Sequence, residues 1–442
     1  MFNSINALPG LLDDVQDSCT QALDSLPCPP RRGRKVTTPL ASLLLSKVRQ
    51  KLVLFGSAAS HLRQLGKSKL SDSSISRRLC QTSEEQLLKV SSVLLGRLAT
   101  KSNNPAGYYG DYRLVGMDGT RFTLQNTAAI NARIKKSVSN GYGNYDPSEE
   151  GFGRICACAL VELGPHNPLA VRIGLENEQE MELALKMLPL LEASDLLIAD
   201  RLFGVGYFLD EVKKSACGAL LLKVPNSQTS REVKQLEDGS YLVEVDVRSR
   251  KRPATIIATH LVREIRYEIT STNARGERVS EQARLWTTLS DVSKYPAREL
   301  IDLYHKRWEH ELYYRELKQT LKKHKYLDSQ LMETARVEIF AMVWASAMVA
   351  RQRMQVSAKI PLDHGCDTPP PLWQISFTLV VRSVRTLLDL APLVGEQLSI
   401  KQFKEMADTF ARKAAQELSA NRRDRSCPRS VRQRLKREFK DI

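Results

Sequence analysis

The segment LIDLYHKRWEHELYYRELKQTLKKHKY carries an acid, a phenol and two cations at helical spacing. They are Tyr304, Arg307, Glu311 and Lys318, at offsets of 0, 3, 7 and 14 residues. At about 100° per residue these offsets fall within roughly 60° of arc, so the four side chains are predicted to project from one side of a single helix. A carboxylate between phosphate-binding groups suits chemistry on a phosphate ester. A solvated helix would also carry Glu and Lys, but with its charges spread more widely.

Two aspartates stand far upstream, at positions where predicted strands end. The run LVGMD ends in Asp118, and the run DLLIAD ends in Asp200. In α/β sheets the carboxyl ends of strands face the crevice in which ligands bind, so both carboxylates can converge there. Each aspartate alone has an ordinary explanation, because Asp-Gly is a common turn and Asp after a strand often caps the next helix.

Together with Glu311, these aspartates form a set of hard oxygen ligands of the kind that binds Mg²⁺ or Mn²⁺. Two such ions about 3.5–4 Å apart can activate the attacking oxygen and stabilise the leaving oxygen of a phosphodiester. Arg307 and Lys318 can bind non-bridging phosphate oxygens, and Tyr304 can donate a hydrogen bond to a phosphate. No Ser-His-Asp set, Walker A motif or dinucleotide fingerprint competes for the catalytic role.

The elements that must position these residues are predicted from hydrophobic periodicity. Residues 1 to about 100 have helical periodicity, and near residue 110 the pattern changes to short apolar runs bounded by Gly, Pro, Asn or Asp. Strands followed by a strand–helix alternation imply a mixed α/β sheet. From about 225 to 290 polar and apolar residues alternate without a helix between them, which predicts a β-rich insertion. Helices return after Pro296.

This pattern divides the chain into five predicted segments. They are a helical DNA-binding domain at 1–105, the first part of the catalytic core at 106–224, a β-strand insertion at 225–292, the completion of the core with the Glu helix at 293–355, and a helical basic region at 356–442.

The charge balance favours a polyanionic partner, with nucleic acid first and an anionic membrane surface second. The 442 residues include 66 Lys and Arg against 50 Asp and Glu, a net charge of +16. Between residues 411 and 440, eleven Lys or Arg face three Asp or Glu. Such runs are usually solvated, but beside a core that acts on phosphodiesters they are candidates for DNA contact. The loop PCPPRRGRK contains further basic residues that are candidates for DNA contact: Arg31, Arg32, Arg34 and Lys35.

The sequence favours a cytoplasmic location. No run of eighteen apolar residues predicts a membrane helix, and the segment MFNSINALPGLLDDVQ lacks the basic and apolar parts of a secretion signal. The eight cysteines include one closely spaced pair, Cys156 and Cys158, in an apolar run. Small buried residues are the simplest interpretation of that pair, so no disulfide framework is expected.

The spacing Y-x2-R-x3-E-x6-K, in the setting YHKRWEHELYYRELKQTLK, resembles the signature of the insertion-sequence-four family of DDE transposases. VGMDGTRF and LIADRLFGVGYF are similar to the first and second Asp motifs of that family, in the right order. The resemblance spans roughly Tyr112 to Tyr326. It implies an RNase H-like core interrupted by a β-strand insertion. It also implies divalent-metal cleavage of transposon ends and joining of the 3′ hydroxyl to target DNA.

The resemblance also assigns roles to individual residues. The metal ligands would be Asp118, Asp200 and Glu311, and the groups that bind the DNA backbone near the cut would be Tyr304, Arg307 and Lys318. Glu309 and Glu316 point away from Glu311 on the helical wheel, so they are poor substitutes for it.

Two further residues are DNA-binding candidates on weaker grounds. Trp286, in the predicted insertion, could stack on a flipped base, because indole stacks well on bases. A Trp in a strand is more often a core residue, and that alternative remains open. Arg201 follows the second Asp, where the family usually has small or aromatic neighbours, and it is interpreted as a partner of a phosphate or a carboxylate.

Two other functions remain open at the level of the sequence. One is a catalytically inactive DNA-binding protein derived from a transposase, against which the intact acidic residues argue. The other is an RNase H-like metal-dependent nuclease without strand transfer. The partner implied by the resemblance is double-stranded DNA, as transposon terminal inverted repeats and target, with a homodimer in the synaptic complex by family analogy.

Overall fold

The computed structural model describes the chain in several ranges, separated by short gaps. These ranges are 8–26, 38–53, 56–64, 70–139, 153–174, 178–249, 254–272, 278–322, 324–358, 372–395 and 397–417. The basic loop with Arg31, Arg32, Arg34 and Lys35 and the basic run beyond residue 417 lie outside the described residues.

Within the described ranges, ten strands form one sheet. Their order across the sheet is β4-β3-β2-β5-β6-β10-β9-β8-β7, with β1 paired on β2. The pairs β2–β5 and β5–β6 are parallel and the other pairs are antiparallel, which confirms a mixed α/β fold with a mostly antiparallel sheet. The strands are β1 (Tyr108–Tyr109), β2 (Tyr112–Thr123), β3 (Arg154–Glu162), β4 (Asn167–Gly174), β5 (Asp195–Ala199), β6 (Ala219–Val224), β7 (Arg231–Gln235), β8 (Tyr241–Arg248), β9 (Ile256–Thr272) and β10 (Arg278–Thr287).

Burial along the strands follows their place in the sheet. Every residue of β5 is buried, and its successive side chains enter two different hydrophobic clusters on opposite faces of the sheet. A strand covered on both faces needs a continuous apolar run, which is what LLIA supplies. In β8 the buried residues alternate with partly exposed ones, and Val243, Val245 and Val247 form its buried face.

Helices precede, flank and follow the sheet. None of those described is long and apolar enough to cross a membrane. They are α1 (Leu8–Asp24), α2 (Leu40–Leu52), α3 (Ala58–Gln64), α4 (Asp72–Cys80), α5 (Glu84–Leu94), α6 (Ala128–Ser139), α7 (Glu180–Leu185), α8 (Gly206–Lys214), α9 (Ala297–His305), α10 (Trp308–Glu316), α11 (Met332–Ser357), α12 (Phe377–Leu390) and α13 (Ile400–Gln416).

The segment that carries Tyr304, Arg307, Glu311 and Lys318 is not the single helix that its periodicity predicts. It consists of α9, α10 and a π-helical turn at Leu317–Leu321. Between α9 and α10 the amides of Arg307 and His310 donate hydrogen bonds to the carbonyl oxygens three residues earlier, at 3.0 Å each. These bonds form tighter, 3₁₀-type turns in place of the α-helical pattern. The prediction of one continuous helix was therefore wrong.

The helices before and after the sheet share one hydrophobic core around α11. This helix is buried along most of its length, and α2, α4, α5, α12 and α13 pack on it. Lys51 of α2 reaches into this core and pairs with the buried Glu338 of α11 at 2.6 Å. The described N-terminal helices are thus anchored to the helix that follows the Glu segment.

Candidate active site

Asp118 lies on β2, one residue beyond the last pair of residues that joins β2 to β5. Their parallel register ends at Met117 and Ala199, so Asp118 stands at the carboxyl end of β5. Its side chain is 15% exposed, and its Oδ1 accepts a hydrogen bond from the Gly119 amide at 2.9 Å. The prediction that the strand itself ends at Asp118 was wrong, because β2 continues to Thr123 with Asp118 opposite Ala159 of β3.

Asp200 is the residue directly after β5, and a local turn orients it. Its Oδ1 accepts from the Leu202 amide at 2.8 Å, and its carbonyl oxygen accepts from the Phe203 amide at 3.1 Å. Because β5 runs parallel to β2, the two predicted aspartates both lie directly after the last residues that these strands pair, Met117 and Ala199.

The two aspartates interact electrostatically. Burial raises the pKa of Asp118 to about 7, and the carboxylates of Asp200 and Glu180 add to this rise, while the nearby Arg307 opposes it. Burial and the two neighbouring carboxylates thus both disfavour the charged form of Asp118.

Arg307 lies between Glu311 and Asp118 and contacts both carboxylates. The guanidinium of Arg307 donates from Nη2 to Glu311 Oε1 at 2.8 Å, and its Nη1 lies 3.9 Å from Asp118 Oδ2. It also hydrogen-bonds the hydroxyl of Tyr304, a buried phenol whose pKa is raised chiefly by that burial. Asp118, Asp200, Glu311 and Arg307 are called the acidic centre below.

Lys318 approaches the acidic centre from the π-helical turn. Its Nζ donates to Thr120 Oγ1, two residues beyond Asp118 on the same face of β2. Burial lowers the pKa of Lys318, as does the charge of Lys322, while Asp118 counteracts them. The structure therefore brings all four predicted residues of the Glu segment to the side of Asp118.

A glycine and a tyrosine that the sequence did not single out fix α10 to β2. A Cβ on Gly116 would lie 2.7 Å from Nδ1 of His310, so the helix can approach the strand only at a residue without a side chain. The hydroxyl of Tyr314 donates to the Asp118 carbonyl oxygen at 2.6 Å and accepts from the Ala159 amide at 3.1 Å. The glycines on either side of Met117-Asp118 are the feature of the sequence that could have indicated this close approach of helix and strand.

The opposite side of α10 carries a second charged group, called the His166 cluster. His166 Nε2 lies 2.8 Å from Glu309 and its Nδ1 lies 2.9 Å from Glu316, which Arg353 also contacts at 2.9 Å. Burial lowers the pKa of His166, but the two glutamates outweigh it and the pKa is raised. Glu309 and Glu316 thus have structural partners, in agreement with their predicted direction away from Glu311.

The remaining predicted residues have different positions. Arg201 is exposed in the turn after Asp200. Trp286 on β10 is completely buried between β6 and β9, and its Nε1 donates to Glu264 Oε2 at 3.0 Å. This burial contradicts the prediction that Trp286 stacks on a base and supports its alternative interpretation as a core residue.

The acidic centre fits a divalent ion by the chemistry of its donors. Its carboxylates are hard oxygen ligands, and their mutual repulsion leaves negative charge for a cation to offset. In the described part of the chain, however, no three acidic, His or Cys side chains are already arranged as a metal site. The carboxylate of Glu311 forms an ion pair with Arg307 instead.

Comparison with known proteins decides the family. A family model described as the transposase DDE domain matches residues 109–347, more than half of the 442-residue chain. The chain belongs to this transposase family. The matched range includes Asp118, Asp200 and Glu311, and DDE transposases generally use divalent metal ions.

A similar protein agrees with this assignment. Transposase InsG for insertion sequence element IS4, from Escherichia coli (strain K12), is 22% identical over 343 residues, which are 75% of this chain and 70% of that protein. The predicted resemblance to the insertion-sequence-four family and the predicted enzyme class are both confirmed. The cryo-EM structure of the piggyBac transposase synaptic complex with hairpin DNA aligns with 92% of this chain and 86% of that chain, with 8% identity and a TM-score of 0.41.

Proposed function

We propose that this transposase cleaves the ends of a transposon and joins the freed 3′ hydroxyl to target DNA, with Mg²⁺ as cofactor and Mn²⁺ as a substitute. One observation carries the proposal most directly. The Arg307 guanidinium donates to Glu311 at 2.8 Å and lies 3.9 Å from Asp118, which links two motifs that are far apart in the sequence. Asp118, Asp200 and Glu311 are the proposed metal ligands.

Both reaction steps are in-line displacements at phosphorus, so one site can serve each of them. When bound, a pair of divalent ions would activate the attacking oxygen and stabilise the leaving oxygen. The protein supplies the positioning of the DNA. Arg307 can turn its guanidinium fork from Glu311 to two phosphate oxygens, and Lys318 supplies a point charge beside them.

Two more side chains are proposed to hold the DNA backbone. A phenol keeps its proton near neutral pH, and burial raises the pKa of Tyr304 further, so its hydroxyl can donate to a phosphate oxygen. Arg201 is exposed next to Asp200, where a phosphate of the bound strand could reach it.

The order of the strands supports the proposal of an RNase H-like core. Five strands, β4-β3-β2-β5-β6, form one half of the sheet, with β2, β5 and β6 parallel and β3 antiparallel to its neighbours. The strands β7 to β10 then extend the sheet from β6, which agrees with the proposed insertion at 225–292. The other proposed segments are 1–105, 106–224, 293–355 and 356–442.

The net charge of +16 supports double-stranded DNA as the partner. The substrates would be the terminal inverted repeats of the element and a target duplex. Because two transposon ends must be held together, a homodimer in the DNA complex is part of the proposal, as is a cytoplasmic location.

The test is a strand-transfer assay with purified protein, the terminal repeats of its own element, a target plasmid and Mg²⁺. We expect nicked ends and joined products from the wild-type chain and neither from Asp200→Asn, with unchanged binding to the ends. Asp302→Asn changes an exposed aspartate of α9 and should behave as wild type.

The alternatives give different products in the same assay. Clear nicking without joining would identify a metal-dependent nuclease instead. No products from the wild-type chain on verified ends would favour a DNA-binding protein that has lost cleavage.

A further inference from the structure

Glu180 places another carboxylate beside Asp118 and Asp200. It is the first residue of α7, and its carboxylate accepts a hydrogen bond from the Gly119 amide. The same amide donates to Asp118 Oδ1 at 2.9 Å. One backbone N–H is therefore shared by two carboxylates that lie about 60 residues apart in sequence, and sequence reasoning did not detect this contact.

The missing side chain of Gly119 makes this contact possible. A Cβ built on Gly119 would lie 2.1 Å from Glu180 Cδ and 2.5 Å from Oε2. Any larger residue at this position would have to push the carboxylate of Glu180 away from β2. The glycine that follows the first catalytic aspartate thus provides the space in which Glu180 lies.

Helix capping does not explain the position of Glu180. A glutamate in the first turn often stabilises the start of its own helix. In α7 that role belongs to Glu182, whose side chain accepts from the Gln179 amide as part of a capping box. The side chain of Glu180 turns instead toward the strand that bears Asp118.

The carboxylate of Glu180 adds to the negative charge around Asp118. It lies against Gly119, the residue after Asp118, and its charge repels those of Asp118 and Asp200. A bound cation offsets such repulsion between carboxylates. Oxygen ligands of this kind are those that Mg²⁺ and Mn²⁺ prefer.

We propose that Glu180 is a fourth carboxylate of the divalent-ion site, acting with Asp118 and Asp200. This proposal rests on the proposed function, because the ion itself is part of that function. A carboxylate that lies against Gly119 and interacts electrostatically with Asp118 and Asp200 adds negative charge to the site. Its removal should therefore weaken ion binding, whether or not the chemical step is also slowed.

The first experiment measures Mn²⁺ affinity directly, from the electron paramagnetic resonance signal of the free ion during titration of the full chain. Glu180→Gln keeps the size of the side chain and the acceptor for the Gly119 amide, but it removes the charge. We expect about tenfold or more weaker Mn²⁺ binding. The matched control is Glu178→Gln, two residues upstream, where the carboxylate pairs with Lys186; its affinity should equal that of the wild type.

Asp118→Asn separates the two proposals. If Asp118→Asn weakens Mn²⁺ binding but Glu180→Gln does not, this inference is overturned and the proposed function stands. If the wild type binds no Mn²⁺, or Asp118→Asn binds it like the wild type, the proposed metal centre itself fails.

Gly119→Ala gives a second, independent variant. The added methyl should displace the Glu180 carboxylate and weaken Mn²⁺ binding about as much as Glu180→Gln, without a further loss when both changes are combined. Fully additive losses would show that Gly119 and Glu180 act separately and would contradict the proposed arrangement. Thermal unfolding in EDTA verifies that each variant is folded.

Discussion

The two sides of α10 face groups of carboxylates in different electrostatic situations. In the His166 cluster, Glu309 and Glu316 bind both nitrogens of one buried imidazole, and Arg353 adds a second cation. In the acidic centre, Asp118 is repelled by other carboxylates, and its neighbour Arg307 pairs with Glu311. The helix therefore lies between a group of compensated charges and a group in which carboxylates repel one another.

The difference indicates what each side is for. Buried charges that satisfy one another hold two parts of the structure together, here α10 and the turn between β3 and β4 that contains His166. Charges left uncompensated cost stability in the ligand-free protein, and functional sites are where such costs are found. Four substitutions test this distinction, beginning with the largest expected effect.

Replacing Asp118 by Asn should abolish function while stabilising the ion-free protein. We expect strand transfer to fall at least about 100-fold, because a proposed metal ligand is lost. The pKa of Asp118 rises from its ordinary 3.8 to about 7 in the native state. The native state therefore holds this proton more tightly than the unfolded state, so Asp118 costs stability increasingly as the pH rises from about 4 to 7.

In EDTA at pH 8, Asp118→Asn should accordingly be more stable than the wild type, by up to about 4 kcal/mol. Near pH 4 the two proteins should have similar stability. Urea unfolding at both pH values measures this difference. A variant that is less stable at pH 8 would show that the acidic centre is compensated after all.

Replacing His166 by Asn should have the opposite effect on stability. Asn is chosen because His166 has a φ of 54°, which Asn tolerates better than most residues. Loss of the imidazolium removes the cation that contacts both Glu309 and Glu316, and we expect a loss of about 3–5 kcal/mol in the free energy of unfolding.

The pH dependence of this loss is a sharper test. The folded pKa of His166 is raised above 6.5, so its stabilisation is complete below pH 6.5 and disappears as the pH rises through the folded value. The difference between His166→Asn and the wild type should therefore shrink at alkaline pH. Replacing the exposed His305 by Asn is the control and should change stability little at any pH.

Tyr314 lies between the two sides, and its hydroxyl should have an intermediate effect. Tyr314→Phe leaves the Asp118 carbonyl and the Ala159 amide without this partner, so we expect a loss of about 1–3 kcal/mol in unfolding free energy. Strand transfer should fall moderately, because the strand that carries Asp118 is held less firmly. Tyr313→Phe is the matched control, since its hydroxyl has only a long contact of 3.4 Å to Ser346. Equal losses in both variants would contradict a special role of Tyr314.

Arg201 lies at the rim of the acidic centre and should show the smallest effect. Arg201→Ala should weaken DNA binding uniformly across sequences. It should also reduce the slope of the logarithm of the binding constant against the logarithm of the salt concentration by about one, the change expected for one lost phosphate contact. Binding titrations at several salt concentrations measure this slope. Lys213→Ala, an exposed cation near the end of α8, should leave the slope unchanged, and an unchanged slope for Arg201→Ala would remove it from the proposed DNA contacts.

Sequence patterns predicted the local features of this protein well. The buried strands β2, β3, β5 and β6 coincide with apolar runs, because a strand that is covered on both faces needs such a run. Asp200 was placed correctly at the end of β5, because a strand end is also a local feature, whereas β2 continues past Asp118 to Thr123.

Features that depend on distant partners could not be predicted in this way. The positions of Glu180 and His166 are decided by residues on other elements, and neither has a pattern of its own. The apolar alternation around Trp286 is the same whether its indole faces solvent or the interior. Pro189 explains why α7 ends at Leu185 and is followed by a 3₁₀ turn at Leu188–Leu190.

The direct pairing of β10 with β6 limits how this enzyme can be shortened. The two strands pair from Arg284 with Val224 to Thr287 with Leu221, so the apolar β6 is flanked on both sides only while β10 is present. Excising the whole insertion would turn β6 into a bare sheet edge, which invites aggregation between molecules. Truncation or domain exchange should therefore begin at β7 and β8, on the outer margin, and leave β10 in place.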